Sequence, residues 1–189
     1  MNVFTIRHGE TEWSLSGQHT GTTDIPLTAN GRRQAEQIRT VLQNDAFELV
    51  LTSPMGRARE TCRLAGLGDR AAIDPDLAEW NYGAYEGLTP DQINEIAPGW
   101  LIFRDGCPEG ETPEQVGVRV DRVIGRARAI KGYTALFAHG HLLRVLGARW
   151  LGLSVGAGQH FLLNTATVSV LSYYHDMPAI RIWNWPVAD

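Results

Sequence analysis

The stretch Val3-Phe4-Thr5-Ile6-Arg7-His8-Gly9-Glu10-Thr11 places a short apolar run directly before a polar turn that contains glycine. The run reads as a buried strand. His8 then stands at its tip, with Arg7 beside it and Gly9 behind it. A neutral imidazole is a good nucleophile near neutral pH, because its unperturbed pKa is about 6.5. A guanidinium offers a planar fork of donors that matches phosphate oxygens. The pair suggests attack by histidine on a phosphate ester. An Arg-His pair alone would be a chance neighbourhood; matching groups further along the chain give it weight.

Working outward, strand-like and helix-like segments alternate. Residues 8–27 show no period and contain Gly17, Gly21 and Pro26, which predicts a long loop. Thr28 caps a helix to about Asn44, with Ala35, Ile38, Val41 and Leu42 on its apolar face. Phe47–Thr52 is the next strand, and Ser53-Pro54 starts a helix through Leu64. Capping-box signatures at Thr89-Pro90-Asp91-Gln92 and Thr112-Pro113-Glu114-Gln115 open two more helices, the second reaching about Lys131. Thr134–Ala138 is a strand, Gly140–Leu151 a helix, and Thr167–Tyr173 and Ile180–Trp183 are late strands. This order predicts one α/β domain over 1–189 with a mainly parallel sheet covered on both faces.

Three strands are followed at once by reactive residues: Arg7-His8-Gly9, then Thr52-Ser53-Pro54 with Arg57 a turn later, then His139-Gly140-His141. Carboxyl ends of parallel strands share one edge, where ligands bind. His8, Arg57 and His139 are therefore expected to converge there, beside helix N-termini that attract phosphate. Glu79, in Leu77-Ala78-Glu79-Trp80-Asn81-Tyr82-Gly83, is a candidate acid. Burial against Trp80 would help its carboxyl hold a proton for a leaving oxygen.

Each of these residues also has a structural explanation. Arg57 near Arg59 fits a solvated helix face, Glu79 a surface carboxylate, and His139 a satisfied core histidine. The His139-x-His141 spacing occurs in metal sites, but no cysteine or carboxylate cluster accompanies it, so no metal is expected. His19, His160 and His175 have no partner pattern and read as structural.

Composition limits the alternatives. The chain has 189 residues, 43% of them hydrophobic and 20% charged, enough for one sizeable core. A formal net charge of −4 and the lack of a basic stripe argue against nucleic acid. No segment approaches the ~20 apolar residues of a membrane span, and no signal-peptide pattern is seen. The two cysteines, Cys62 and Cys107, fit reduced structural thiols in a cytoplasmic protein, with Cys107 in a turn as the one candidate for reactivity. A homo-oligomer stays open.

Taken together, Arg7-His8-Gly9-Glu10-Thr11, Thr20-Gly21, Pro26-Leu27-Thr28 with Gly31, Ser53-Pro54-x-x-Arg57-Ala58-x-x-Thr61, Glu79-x-x-Tyr82-Gly83 and Ala138-His139-Gly140 resemble the histidine phosphatase superfamily, also called phosphoglycerate mutase-like. The resemblance implies a three-layer α/β/α sandwich and a two-step reaction needing neither metal nor cofactor. His8 would be phosphorylated, Arg7, Arg57 and His139 would hold phosphoryl oxygens, and Glu79 would serve as acid and then base. Ser14, Thr20, Gly21, Tyr82, Gly140 and His141 would complete the substrate site.

Two departures bear on the substrate. Ser14 follows Trp13 where mutases of the family carry Asn, and residues 84–110 hold a single basic residue, Arg104, where mutases carry several. A second anionic group would be poorly clamped there. Hydrolysis of small phosphorylated metabolites, sugar phosphates among them, is therefore favoured over a cofactor-dependent phosphoglycerate mutase. A non-catalytic phosphate-binding protein on the same fold is the remaining alternative.

Overall fold

The computed structural model describes residues 1–43 and 46–187. In chain order the elements are β1 (Asn2–Arg7), α1 (Glu12–Ser16), α2 (Ala29–Leu42), β2 (Phe47–Thr52), α3 (Gly56–Leu64), β3 (Ala72–Ile73), α4 (Pro90–Ile96), α5 (Ile102–Asp105), α6 (Pro113–Arg128), β4 (Tyr133–Ala138), α7 (Gly140–Trp150), β5 (Thr167–Tyr174) and β6 (Met177–Pro186), with short 3-10 turns between several of them. The six strands form one sheet in the order β3-β2-β4-β1-β5-β6. The first four run parallel; β5 and β6 are antiparallel to their neighbours.

Strand alternation assigns the two faces. Phe4, Ile6, Ala135 and Phe137 pack with Ile38 and Leu42 of α2 and Cys62 of α3. Val3, Leu136 and Ala138 point the other way, onto Val116, Val120 and Val123 of α6 and Leu142 and Leu146 of α7. The result is the expected α/β/α arrangement, since period-two burial on both faces requires helices on both sides.

Several boundaries differ from the sequence reading. The long loop contains α1, held by a capping box between Thr11 and Ser14; five residues are too few to show a period. Helix α3 starts at Gly56, not at Pro54. The Met55 N–H donates to Ser53 Oγ at 3.2 Å, which holds this segment in a turn, and Asp24 caps the Gly56 N–H at 2.8 Å. Strand β3 and helix α5 were not anticipated, and β6 is longer than Ile180–Trp183. Helix α6 ends at Arg128, short of Lys131. The expected α2 terminus at Asn44 lies outside the described residues.

Candidate active site

Sheet register brings the three predicted clusters to one edge. Arg7 pairs with Ala138 across β1 and β4, and Thr52 pairs with Phe137 across β2 and β4. Just past these pairs, the His8 N–H donates to Ala138 O at 3.1 Å and the Ser53 N–H to Phe137 O at 2.9 Å. The rings of His8 and His139 end 5.2 Å apart.

His8 is nearly buried, at 5% exposure. Its Nδ1 lies 2.7 Å from the Gly9 carbonyl oxygen. A carbonyl only accepts, so Nδ1 carries the proton and Nε2 keeps its lone pair. Burial, then the Arg57 and Arg7 guanidiniums, hold the imidazole pKa well below its ordinary value, which keeps the ring neutral. Glycine is required at position 9 because a Cβ there would lie 2.3 Å from Gly31 O, and one at position 31 would lie 2.1 Å from Glu10 O. The Gly9 N–H is bonded to Thr61 Oγ1 at 3.1 Å.

Arg57 and His139 form the floor and are fully buried. Arg57 donates from Nε to His139 Nδ1 at 3.2 Å, from Nη1 to Thr23 O at 2.9 Å, and from Nη2 to Thr20 O and Gly21 O at 2.9 and 3.0 Å. Because His139 Nδ1 accepts from a guanidinium, its proton sits on Nε2, which donates to Ser53 Oγ at 2.7 Å. Arg57 thus fixes both the imidazole and the 20–23 loop.

Above this floor lies an open cavity of about 220 Å³. Of the predicted residues, Arg7, His8, Ser14, Thr20, Glu79, Tyr82, Gly140 and His141 line it. Arg57, His139 and Gly21 lie behind the lining. The Gly21 N–H donates to the Glu86 carboxylate at 2.9 and 3.1 Å. Ser14 spends its hydroxyl on Thr11 O at 2.8 Å. Arg7 donates from Nη1 to Leu163 O at 2.5 Å, while its Nε is buried without a partner.

Glu79 faces the same cavity from a different direction. Its carboxylate accepts from the backbone N–H groups of Trp80 and Leu142, each at 2.9 Å, and of His141 at 3.0 Å. Burial beside Trp80 is thus only part of the Glu79 environment; the first turn of α7 supplies two of its three backbone donors. Arg119 of α6 fixes the segment. It pairs with Glu111 at 2.7 Å and donates to the carbonyls of Asp76, Ala78 and Glu79 at 2.9, 2.6 and 3.1 Å. Glu111 O in turn accepts from the Trp80 indole at 2.9 Å.

Sequence reasoning missed Arg119, Arg144 and His19. His19 was read as structural, yet it lines the cavity, stacks on His141 at 5.6 Å and meets Tyr82 edge-on at 4.7 Å. Tyr82 Oη and His141 Nδ1 are bonded at 2.6 Å. No periodic signal marks His19. Arg119 and Arg144 are hidden inside amphipathic helices, where an arginine reads as a solvated face.

His139 has both ring nitrogens engaged, and His141 is bonded to Tyr82, so the H-x-H pair is not a shared ligand set. Among the described residues no group of three or more His, Cys, Asp or Glu side chains gathers as metal ligands. Both cysteines are buried, and burial pushes each thiol up to about 12, which removes Cys107 as a reactive group. Among the described residues, no helix is long and apolar enough to cross a membrane.

Comparison with known proteins gives the family. An acid phosphatase of Mycobacterium tuberculosis is 39% identical over 181 residues, covering 94% of this chain and 89% of that protein. A sedoheptulose 1,7-bisphosphatase of Saccharomyces cerevisiae is 40% identical over 184 residues, covering 79% of this chain and 67% of that protein. A solved structure of a Mycobacterium tuberculosis open reading frame product superposes with a TM-score of 0.95 at 36% identity, over 99% of this chain and 98% of the other. The family profile of the histidine phosphatase superfamily (branch 1) matches residues 3–186, so this chain belongs to that superfamily and is a phosphoric monoester hydrolase.

Proposed function

We propose that the protein hydrolyses phosphomonoesters of small metabolites, sugar phosphates among them, through a phosphohistidine at His8 and without a metal ion. The observation that carries this reading is the bond from His8 Nδ1–H to Gly9 O, which leaves a neutral Nε2 lone pair at the cavity floor beside Arg7. The unpartnered Arg7 Nε supports an anion there, since a buried donor left unmade costs about 1–3 kcal/mol.

A bound ester would lie with its phosphoryl oxygens on Arg7. Nε2 attacks phosphorus while the bond to the alcohol oxygen breaks. A phosphomonoester near its second pKa, about 6, brings one proton into the site. Glu79 takes up that proton and passes it to the leaving oxygen. Glu79 then accepts a proton from the water that attacks the phosphohistidine, and inorganic phosphate departs as His8 regains its lone pair. Names carried by relatives support the substrate class: one is an acid phosphatase and one acts on a sugar bisphosphate.

Rapid quenching of the purified protein with phosphorus-labelled ester in excess chelator tests the proposal. The expected result is phosphate release together with an acid-labile, alkali-stable label on the protein that is absent from His8→Ala. Release without any protein-bound label, or loss of activity on chelation, would overturn it.

A further inference from the structure

Helix α7 sends two side chains into the cavity beyond the floor. His141 and Arg144 are three residues apart and share one helix face. Arg144 is held in place from two sides. Its Nε–H donates to Gly158 O at 3.2 Å and one terminal N–H to Gln159 O at 3.1 Å, while the guanidinium lies over the Phe103 ring at 4.6 Å.

Among the described residues no carboxylate pairs with Arg144, unlike Arg57, which has Asp24 at 3.8 Å, and Arg119, which has Glu111 at 2.7 Å. The other cavity-lining guanidinium without a carboxylate is Arg7, which the proposed reaction assigns to the transferred phosphoryl group. A partly buried cation that is positioned but unpaired is the usual arrangement for an anionic ligand. The lining that the two cations share also carries His19, Tyr82, His141 and the Glu79 carboxylate, which stays outside ion-pair distance of Arg144. His19 donates from Nδ1 to Leu88 O at 3.0 Å, which leaves its Nε2 free to accept a hydroxyl. Arg104, the one cation expected between residues 84 and 110, is exposed and paired with Asp105 at 2.7 Å.

We propose that Arg144 is a second anion subsite, so that the preferred substrate is a phosphomonoester whose hydroxylated leaving group carries a distal phosphate or carboxylate. This rests on the phosphatase reading of the site, and it reverses the expectation that a second anion would be poorly held.

Matched substrates test it: a sugar bisphosphate, the corresponding monophosphate, a phosphorylated sugar acid, and an aryl phosphate with no distal charge. The quantity read is the ratio of kcat/KM for each doubly anionic ester to that for the aryl phosphate. Arg144→Gln should lower this ratio at least about tenfold, mainly through KM. Arg144→Lys, which keeps the charge without the planar fork, should restore part of it and covers the case in which Gln disturbs the Gly158–Gln159 turn. Whichever distal group shows the larger drop identifies the anion. An unchanged ratio in both variants would overturn the subsite alone. Failure of the unaltered protein to release phosphate from any of the four esters would overturn the phosphatase reading, and the subsite with it.

Discussion

The floor and the wall of the cavity are built differently. The floor (His8, Arg57, Ser53 and His139) hangs on strand ends and the loops just after them, and its polar side chains, apart from the free Nε2 of His8, are bonded within the sheet edge or to the 20–23 loop. The wall (His19, Glu79, Tyr82, His141 and Arg144) comes from a loop, a clamped segment and a helix face. The main chain around the floor is tied by strand pairing and by the close approach of Gly9 to Gly31. The wall is held by side chains that reach it from elsewhere, chiefly Arg119. On the proposed mechanism the floor supplies the attacking imidazole, while the wall supplies both the Glu79 proton transfers and the groups that would discriminate among leaving groups.

The sharpest way to separate the two is at Glu79. Glu79→Gln keeps the hydrogen-bond acceptor but removes the transferable proton. Turnover of alkyl phosphates should fall about 10²–10³-fold, and release of a phenolate, which leaves without a proton, should fall much less. Pre-steady-state assays with aryl phosphate should then show a burst, because attack by His8 becomes faster than hydrolysis of the phosphohistidine. Equal losses in the single-turnover rate of protein phosphorylation by alkyl and aryl esters would show that Glu79 does not protonate the leaving oxygen.

A smaller effect is expected one step back. Arg119→Gln leaves Glu111 and three carbonyls without their donor, so the Glu79 segment loosens. The kcat for alkyl phosphates should drop about tenfold while that for aryl phosphates changes less. The same split as at Glu79, in weaker form, marks a positioning role; a uniform fall would mark general destabilisation. Arg119→Lys should recover part of kcat.

The last expectation concerns stability and pH, and it involves floor and wall together. Burial holds His8, His139 and His141 well below the ordinary histidine range, with nearby guanidiniums acting in the same direction. In the unfolded chain these rings protonate below about pH 6.5. The unfolded state then binds more protons than the folded one, so stability falls as pH drops from about 6.5 toward the lowered folded values, by up to about 1.4 kcal/mol per pH unit for each ring. Melting temperature should decline from pH 7 to pH 5, while catalysis by neutral His8 persists into that range. A flat melting profile would contradict the burial of these rings as neutral species.

This division also explains what the sequence disclosed. The floor was legible because its residues are consecutive and follow apolar strands whose direction is set by period-two burial: Arg7-His8-Gly9, Ser53 and His139. The wall was only half legible. Glu79, Tyr82 and His141 stood in recognisable blocks, but the donors around Glu79 come from α7, 62 and 63 positions away. Arg144 is not legible from sequence, because it lies outside the 84–110 stretch in which the family resemblance places substrate-gripping cations. An arginine one turn into an amphipathic helix carries no mark of which way it faces until the helix is docked. Arg119, among the valines of α6, was hidden for the same reason.

Where Gly9 meets Gly31, helix α2 touches the turn after His8 backbone to backbone, with no side chain between them. The separation there is set by bare main-chain atoms and has no slack to absorb an added methyl group. Drift elsewhere in α2 can be repacked, but a side chain at either glycine would force the two main chains apart, so this helix serves as a gauge block for the His8 ring as well as a cover for the sheet.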